Sequence, residues 1–591
     1  MQAGGQKTCP LQADRFSDPA IPFMKSRLPA PDRQTLLVLL AGLLAFALFS
    51  GFSALSPTRL SWVMINFDTP THYLGWQFFR QTPWDQWPIG MNPLYGFDAP
   101  ASVVLSDSIP LMALLFKPIS GLLPADFQYF GLWILACFLL QAWFASKLLR
   151  RFSSSHLFCF AGSLFFVTAT VFLLRIYLHP ALAGQWLLLA GLYLCISPRF
   201  RGKAWLLLLV TAALVHAYLL LMAAALWGAD LLQRAWRREV SARHLGWNAV
   251  AVAALVPAVM WAAGYFLPIS VVGVASTLDA NLLLGFWNGQ NPYGGSWSAL
   301  VPTFNLAPGT GEGFGYMGVG FMLLVVCALI PWRRTPASST PVPASTWWTL
   351  SLVCTVMFFF ALGDKVYAGD RLLFSYDLPA WHGRLRGILR GAGRFVWPLW
   401  YLTMLAALYR VATRLPPRRA GWLVAALMLV QCADLSKPAM DYRRNYQLRA
   451  EWHPELTSPA WQSMAQKYQR VVFMMGGEWA TPNALSVSRE YLQVANFAAK
   501  HGMGVNVAYL ARVDDSKWNA QLQRRQHALR TAQFEPGTLY VVKDEGLLRD
   551  AGCLVPAQVW AGRIDGIELI VPGGESILAL RALPETACAP R

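Results

Sequence analysis

The sequence contains no Gly-rich phosphate loop, no CxxC pair, no HExxH and no GxSxG. Together these absences remove several common classes of soluble enzyme. Charge is scarce as well. Of the 591 residues 14% are charged and 55% hydrophobic, and the mean hydropathy of +0.38 lies above the usual range for soluble globular proteins. The chain is instead filled by apolar runs near 20 residues long, recurring from position 35 to about 434, and such runs read as membrane spans. Beyond 434 they stop and the composition turns ordinary, which sets a domain boundary there.

The net charge of +18 is unevenly spread. Residues 435–591 hold 18 Lys+Arg against 15 Asp+Glu, a balance of +3, so the remaining +15 belongs to the membrane part. A basic membrane protein draws such charge from short cytoplasmic loops, and nucleic acid is not among the expected partners. Of nine cysteines, Cys137, Cys159, Cys195, Cys327 and Cys354 lie in apolar runs as packing residues. Cys553 and Cys588 lie in the C-terminal part. An oxidising compartment would let them pair as a disulfide, and two unrelated thiols fit equally well. Residues 1–34 are polar, and no small-residue cleavage site follows the run 35–53, which reads as an uncleaved first span.

The spans drawn from hydropathy are 35–53, 127–148, 156–177, 183–197, 203–215, 217–233, 246–266, 316–332, 347–363, 395–412 and 419–434. Basic clusters orient them. Lys25, Arg27 and Arg33 precede the first span; Lys147, Arg150 and Arg151 follow the second; Arg199, Arg201 and Lys203 follow the fourth. Arg234, Arg237, Arg238 and Arg243 follow the sixth, Arg333 and Arg334 the eighth, and Arg410, Arg414, Arg418 and Arg419 the tenth. All fall on one side if the N-terminus is cytoplasmic, and the outside loop 267–315 has no Lys or Arg. The run 108–123, broken by Lys117 and Pro118, is too short to span and reads as a helix lying in the interface. Basic residues at both ends of 203–233 demand a hairpin turning near His216 and Tyr218. In the tail, RVVFMM, GVNVAYL and TLYVV read as strands, and SREYLQVANFAAK and DSKWNAQLQRRQHALRTA as helices. The expected fold is therefore an α-helical polytopic membrane protein with about eleven transmembrane helices. It comprises a cytoplasmic segment 1–34, a membrane domain 35–434 and a C-terminal α/β domain 435–591 outside the cytoplasm.

Polar side chains gather in the outside loops. The first, 54–126, is far longer than a connector requires. Within it Asp68, His72, Trp76 and Arg80 recur at i, i+4 spacing, which sets an acid, an imidazole, a ring and a cation on one helix face at the membrane surface. Such a stripe suits a phosphorylated, ring-shaped substrate; the plainer alternative is an interfacial helix with an aromatic belt and a polar solvent face. His179, Gln185 and His216 lie at span ends on the same side, where a lone His is more often a cap than a ligand. The loop 267–315 offers NGQNPYGGSW, with Asn291 and Tyr293, and GTGEGFGYMG, with Glu312. Its glycines permit close approach of backbone to a ligand, and a plain flexible loop explains them as well. The loop 364–394 breaks the charge pattern with Lys365, Arg371, Arg384, Arg386, Arg390 and Arg394 on the outside face. A lipid phosphate or diphosphate would account for them; anionic head groups or a local change of topology are the alternatives.

With these features on view, the chain resembles the GT-C class of membrane glycosyltransferases. The resemblance lies in a long first outside loop with an acid soon after span one, an in-plane helix before span two, paired short spans, and a soluble tail outside. FDTPTHYLGWQFFR, SDSIPLMALLFKPISGLLP, LHPALAGQW and GRFVWPLWY look like an uncharacterised bacterial branch near the YfhO-like proteins. The resemblance implies transfer of a sugar from a polyprenyl-phosphate carrier to a periplasmic cell-envelope acceptor, which is a glycan, lipid or protein. The expected location is the bacterial inner membrane. It maps the first-loop acid of the class onto Asp68 and makes Asp107 the second acid, with His72 in support. Trp76, Arg80, His179, His216, Asn291, Tyr293, Glu312, Arg386, Arg390 and Arg394 would line the substrate. No cofactor is demanded; a divalent cation is compatible, although Thr69 stands where many members of the class carry an adjacent second acid. The rival readings are a transporter or flippase of a lipid-linked substrate and a non-catalytic envelope-assembly protein. An enzyme requires Asp68, Asp107, His179 and Arg394 to converge; a scaffold leaves them scattered.

Overall fold

The computed structural model describes residues 32–64, 68–99, 101–267, 278–283, 285–332, 342–475, 488–510, 515–531, 533–543, 559–581 and 583. Cys553 and Cys588, and the basic pair Arg333 and Arg334, lie outside the described residues. Every run drawn as a span carries helix. In order these are α1 (Arg33–Phe49), α4 (Phe130–Leu149), α5 (His156–Val167) with α6 (Thr170–Leu178), α7 (Trp186–Ile196), α8 (Gly202–Val215) and α9 (Ala217–Trp236). There follow α10 (Ala242–Ala263), α11 (Val319–Leu329), α12 (Ala344–Leu362), α14 (Trp397–Arg414) and α15 (Pro417–Asp434). Between them lie α2 (Thr69–Phe79) and α3 (Pro110–Phe116) in the first loop and α13 (Ala380–Ile388) in the basic loop. Among the described residues four helices are long and apolar enough to cross a membrane: α4, α10, α12 and the stretch Ala392–Arg414. The pairs α5–α6, bent by 43°, and α15 with α16 (Ser436–Gln447), bent by 54°, raise this to six if each is one span. The chain is thus a polytopic α-helical membrane region of four to six candidate spans. The remaining runs form shorter or more polar helices, which do not meet that length and composition on their own.

Helix ends follow local chemistry. α6 stops at His179, whose successor Pro180 disfavours helical backbone in the residue before it. The chain breaks between α8 and α9 at His216, where the extended backbone (φ −167°) lets the ring accept the Tyr218 N–H and cap α9. The basic helix ends come together at one end of the bundle. Arg150 pairs with Asp32 at 2.6 Å, Arg237 Nε donates to Ser345 at 2.7 Å, and Arg234 donates to the carbonyls of Ser197 and Pro198. At the other end, the Trp133 indole donates to the Pro180 carbonyl at 2.7 Å, and the Gly391 N–H donates to the Tyr218 hydroxyl at 2.7 Å.

The C-terminal domain is built on a five-stranded sheet of order β4-β3-β5-β7-β6. β3 (Arg470–Met475) runs parallel to β4 (Gly504–Val505) and to β5 (Thr538–Lys543), in the register Arg470 to Thr538 through Met475 to Lys543. β6 (Val559–Ile564) and β7 (Ile567–Pro572) close the other edge as an antiparallel hairpin through Asp565 and Gly566. Both turn residues have positive φ (49° and 80°), as a tight two-residue hairpin needs. α17 (Pro459–Lys467), α18 (Arg489–Lys500) and α19 (Asp515–Arg530) complete the domain. α16 instead packs with the membrane part: the Tyr442 and Tyr446 hydroxyls donate to the carbonyls of Leu173 and Ile176 at 2.9 and 2.6 Å.

The domain is seated on the first loop. Leu74, Phe78, Tyr95, Ala101 and Leu105 share one apolar core with Trp461, Val471, Tyr491, Val494, Leu539 and Trp560. The backbone of Gly96 and Phe97 donates to the Val505 carbonyl, and Val505 donates back to Leu94 at 2.9 Å, so the loop borders β4. Arg525 clasps Asp98, with one contact at 2.8 Å, and Lys500 pairs with Asp126. The hairpin of β1 (Lys365–Ala368) and β2 (Arg371–Ser375) projects from the basic loop.

Candidate functional site

Asp68 occupies the N-cap position of α2, yet its carboxylate makes no capping bond; the phenol of Tyr509, from the C-terminal domain, hydrogen-bonds it instead. Every residue of α2 is buried, so the helix has no solvent face and is not an interfacial helix with an aromatic belt. Four residues on, His72 is 2% exposed. Burial raises the Asp68 carboxyl to about 6; Arg394 pulls it down, while the Asp107 and Glu312 carboxylates push it further up.

Asp107 is carried by a tightly folded loop. It and Ile109 adopt left-handed backbone, with φ of 50° and 54°. Non-glycine residues there cost on the order of 1–3 kcal/mol each, a cost the surrounding packing must hold. Ser108, between them, donates to the His72 carbonyl at 2.7 Å, and the Tyr129 hydroxyl bonds the Ser108 carbonyl. Gly75 makes the approach possible, because a Cβ there would stand 2.3 and 2.4 Å from the Ser106 and Ser108 hydroxyls. The carboxylate this loop presents lies 3.4 Å from His216 Nε2 and 3.7 Å from His179 Nε2. The His72 and His179 rings are 4.7 Å apart, and those of His179 and His216 are 5.8 Å apart. Burial would raise the Asp107 carboxyl; the His216 hydrogen bond, with Arg394 beyond it, holds it below the ordinary carboxylate range. Burial pushes the His72 imidazole down to about 4, against the opposing pull of Asp107, so the ring is neutral near pH 7.

The opposite wall is ionic. Glu312 Oε2 accepts from Arg394 Nε at 2.7 Å and from Arg175 Nη2 at 2.8 Å. The Arg394 guanidinium lies 4.8 Å from the Tyr218 ring centroid, and that of Arg175 lies 5.3 Å from the Trp397 ring. Burial alone would raise the Glu312 carboxyl, but Arg175 and Arg394 hold it well below the carboxylate range. One acid between two guanidiniums leaves a surplus positive charge beside Asp68, within electrostatic reach of Asp107 as well.

Of the residues singled out from sequence, Asp68, His72, Asp107, His179, His216, Glu312 and Arg394 come together. Arg390 is exposed and lies within electrostatic reach of Tyr218 and Tyr509. The others have different partners. Trp76 is fully buried, donates to the Phe127 carbonyl at 3.1 Å and packs edge-on against Tyr129. Arg80 ties down the loop before α4 by donating to carbonyls from Ser120 to Ala125. A stripe at i, i+4 on a wholly buried helix points each side chain into a different neighbourhood. Asn291 turns its own loop, accepting from the Tyr293 N–H at 2.9 Å, and donates to Asp441 at 2.8 Å. Tyr293 packs between Tyr177, tilted, and Tyr442, edge-on, and Arg386 pairs with Asp279 and, at 3.4 Å, with Asp364. Arg175 and Tyr509 belong to the cluster and were not singled out. Arg175 carried a readable signal, a charged residue inside an apolar helix; Tyr509 carried none.

His72, Asp107 and His179 are residue types that ligate metals, and one candidate ligand atom from each lies within 4.8 Å of the others. No curated protein matches the chain in sequence. Among solved structures it is distantly similar to ArnT from Cupriavidus metallidurans in the apo state. The identity is 12% and the TM-score 0.44, over 90% of this chain and 97% of that one. It is also similar to the Archaeoglobus fulgidus oligosaccharyltransferase in the apo form, at 10% identity and a TM-score of 0.36, over 80% of this chain and 64% of that one. A domain of unknown function, DUF6311, matches residues 39–436, and the DUF6311 C-terminal domain matches residues 460–572, where the motifs had set the chain near the YfhO-like proteins. The chain belongs to the DUF6311 family.

Proposed function

We propose that the chain is a GT-C-type glycosyltransferase of the bacterial inner membrane, with about eleven spans once the shorter apolar helices are counted, a cytoplasmic N-terminus and a periplasmic C-terminal domain. It moves a sugar from a polyprenyl-phosphate carrier to an acceptor of the cell envelope. The observation that carries this reading is the placement of Asp68: a carboxyl raised to about 6, between an imidazole–carboxylate cluster and a guanidinium pair with surplus positive charge. An acceptor hydroxyl is a weak nucleophile until a base takes its proton, and a base titrating near the working pH suits that task. As the acceptor oxygen bonds the anomeric carbon, its proton passes to Asp68. The bond from that carbon to the carrier phosphate breaks, and the electron pair leaves with the phosphate. Arg394, with Arg390 at the exposed edge, stabilises the departing anion, and a single displacement inverts the anomeric centre. A divalent cation held by His72, Asp107 and His179 would add Lewis-acid stabilisation of developing negative charge.

Asp68→Asn tests the reading. It keeps the size of the side chain but not the negative charge or the proton-accepting role. Transfer to envelope glycan in a complemented deletion strain should fall by about 100- to 10,000-fold at unchanged protein level, the usual cost of losing a general base. Wild-type glycan transfer by a normally expressed variant refutes the assignment.

A further inference from the structure

We infer that the groove between α8 and α10, at the basic end of the bundle, binds an anionic phospholipid. Its phosphate lies on Arg201, Lys203 and Arg243, and an acyl chain lies against Leu206, Trp247 and Ala251. The path of the chain builds the groove. α9 returns between α8 and α10, so those two helices begin side by side at one end. Asn248 Nδ2 donates to the Gly202 carbonyl at 3.1 Å, and Asn248 Oδ1 accepts from the Trp227 indole at 3.0 Å, which ties the three helices there. The groove has a volume of about 900 Å³, with cations at its mouth and apolar side chains along its depth. From Arg243 to Ala251 it runs about 12 Å along α10, against about 15 Å of hydrocarbon in one leaflet.

The surface of α10 calls for lipid. Only 17% of its apolar window is buried within the protein, and Trp247, Val250 and Leu255 are exposed along it. Charge then selects the kind of lipid. Other basic residues at this end have acids: Arg150 pairs with Asp32, Arg234 with Asp230, and Arg237 with Glu239. Among the described residues Arg201, Lys203 and Arg243 pair with no carboxylate, and all three are exposed at the mouth. Arg201 also lies 5.8 Å from the Tyr193 ring, around which Lys147 and Arg151 stand at 5.9 and 5.4 Å, so the positive field extends beyond the groove. A head group of net negative charge satisfies these cations better than a zwitterionic one. The groove on the other side of α10, against α9, is as large, about 910 Å³, but carries one cation, Arg238, so size alone gives no preference. The site rests on these cations and not on sugar transfer: a chain that moves no sugar keeps it.

The test uses the full-length protein, delipidated in detergent and titrated with phosphatidylglycerol or with phosphatidylcholine of the same acyl chains. Native mass spectrometry counts the lipids bound. Each basic residue near an anionic head group contributes about fivefold in affinity. The first phosphatidylglycerol should therefore bind about 100-fold more tightly than phosphatidylcholine. The triple variant Arg201→Gln, Lys203→Gln, Arg243→Gln should bind the two lipids equally, and Arg238→Gln should keep the preference. If the triple variant does not fold, Arg201→Gln alone decides, with a loss of about fivefold for phosphatidylglycerol. Glycerol phosphate, a head group without chains, should not displace the lipid. Equal binding of the two lipids by the wild type, a preference kept in full by the folded triple variant or by Arg201→Gln, a preference lost in Arg238→Gln, or displacement by glycerol phosphate overturns the site.

Discussion

The two walls that flank Asp68 treat polarity in opposite ways. On one, Glu312 lies between Arg175 and Arg394, and each cation also faces an aromatic ring. On the other, two imidazoles have buried nitrogens without a hydrogen-bond partner among the described residues, and Asp107 stands on left-handed backbone. The ionic wall is complete in itself, and its surplus charge is fixed before any ligand arrives. The imidazole wall instead gathers two rings and one carboxylate whose contacts are longer, 3.4 and 3.7 Å. On the proposed function, stability and activity divide between the walls: the first ties helices and loops together, and the second faces the reaction.

Breaking the ionic wall should have the largest effect on folding. Glu312→Gln leaves the buried Arg175 facing Arg394 without the acid between them, and removing one partner of a buried pair typically costs about 3–5 kcal/mol. Denaturant unfolding should register a loss of that order, and an unchanged midpoint would show that the two walls do not divide the work as described. Tyr509→Phe sharpens the comparison from the C-terminal side. Hydrogen bonds to charged groups contribute about 1.5–3 kcal/mol, so transfer should slow about tenfold or more. Because the phenol donates to the ionised carboxylate, its loss should move the acidic limb of the pH–rate profile upward.

Asp68 itself should show activity and stability pulling apart. Its folded pKa, about 6, is raised from the ordinary 3.8, so its contribution to stability is full below pH 3.8 and is lost as pH rises through 6. Asp68→Asn should therefore be more stable than wild type at pH 7.5, by on the order of 1–3 kcal/mol, with the advantage vanishing at pH 3.5. Equal stabilities at pH 7.5 would place the carboxyl in water. The smallest effect lies in the rate profile of the wild type. Transfer should rise with pH through about 6 and level off, falling about tenfold one unit below. A flat profile from pH 5 to 8 would contradict a base in this environment.

Much of the fold was legible because apolar periodicity is a local property. The helices fall on the drawn runs, and β3 and β5 fall on RVVFMM and TLYVV. The break at His216 was readable from charge at both ends of 203–233. The hairpin VWAGRIDGIELIVP escaped notice despite its Asp-Gly turn, and so did the return of α16 to the membrane part, because the composition changes before the packing does. In the site, Asp68 and His72 were found by spacing, but the same spacing also selected Trp76 and Arg80, since a face of a helix is not a direction in space. Pairings such as Glu312 with Arg175, or Asp68 with Tyr509, join segments far apart in the chain, and a single sequence holds no record of them.

The shared core of the first loop and the C-terminal sheet carries a consequence for biogenesis. Leu74, Phe78 and Tyr95 leave the ribosome long before Val471, Tyr491 and Trp560, which complete their packing. At roughly 5–20 residues per second, the interval between Leu105 and Trp461 is about 20–70 s. Over that time α2 and its acid lack the cover that the C-terminal domain gives them. Assembly of the site therefore waits for the C-terminal sheet, and a chain cut short before Tyr509 leaves Asp68 without that phenol.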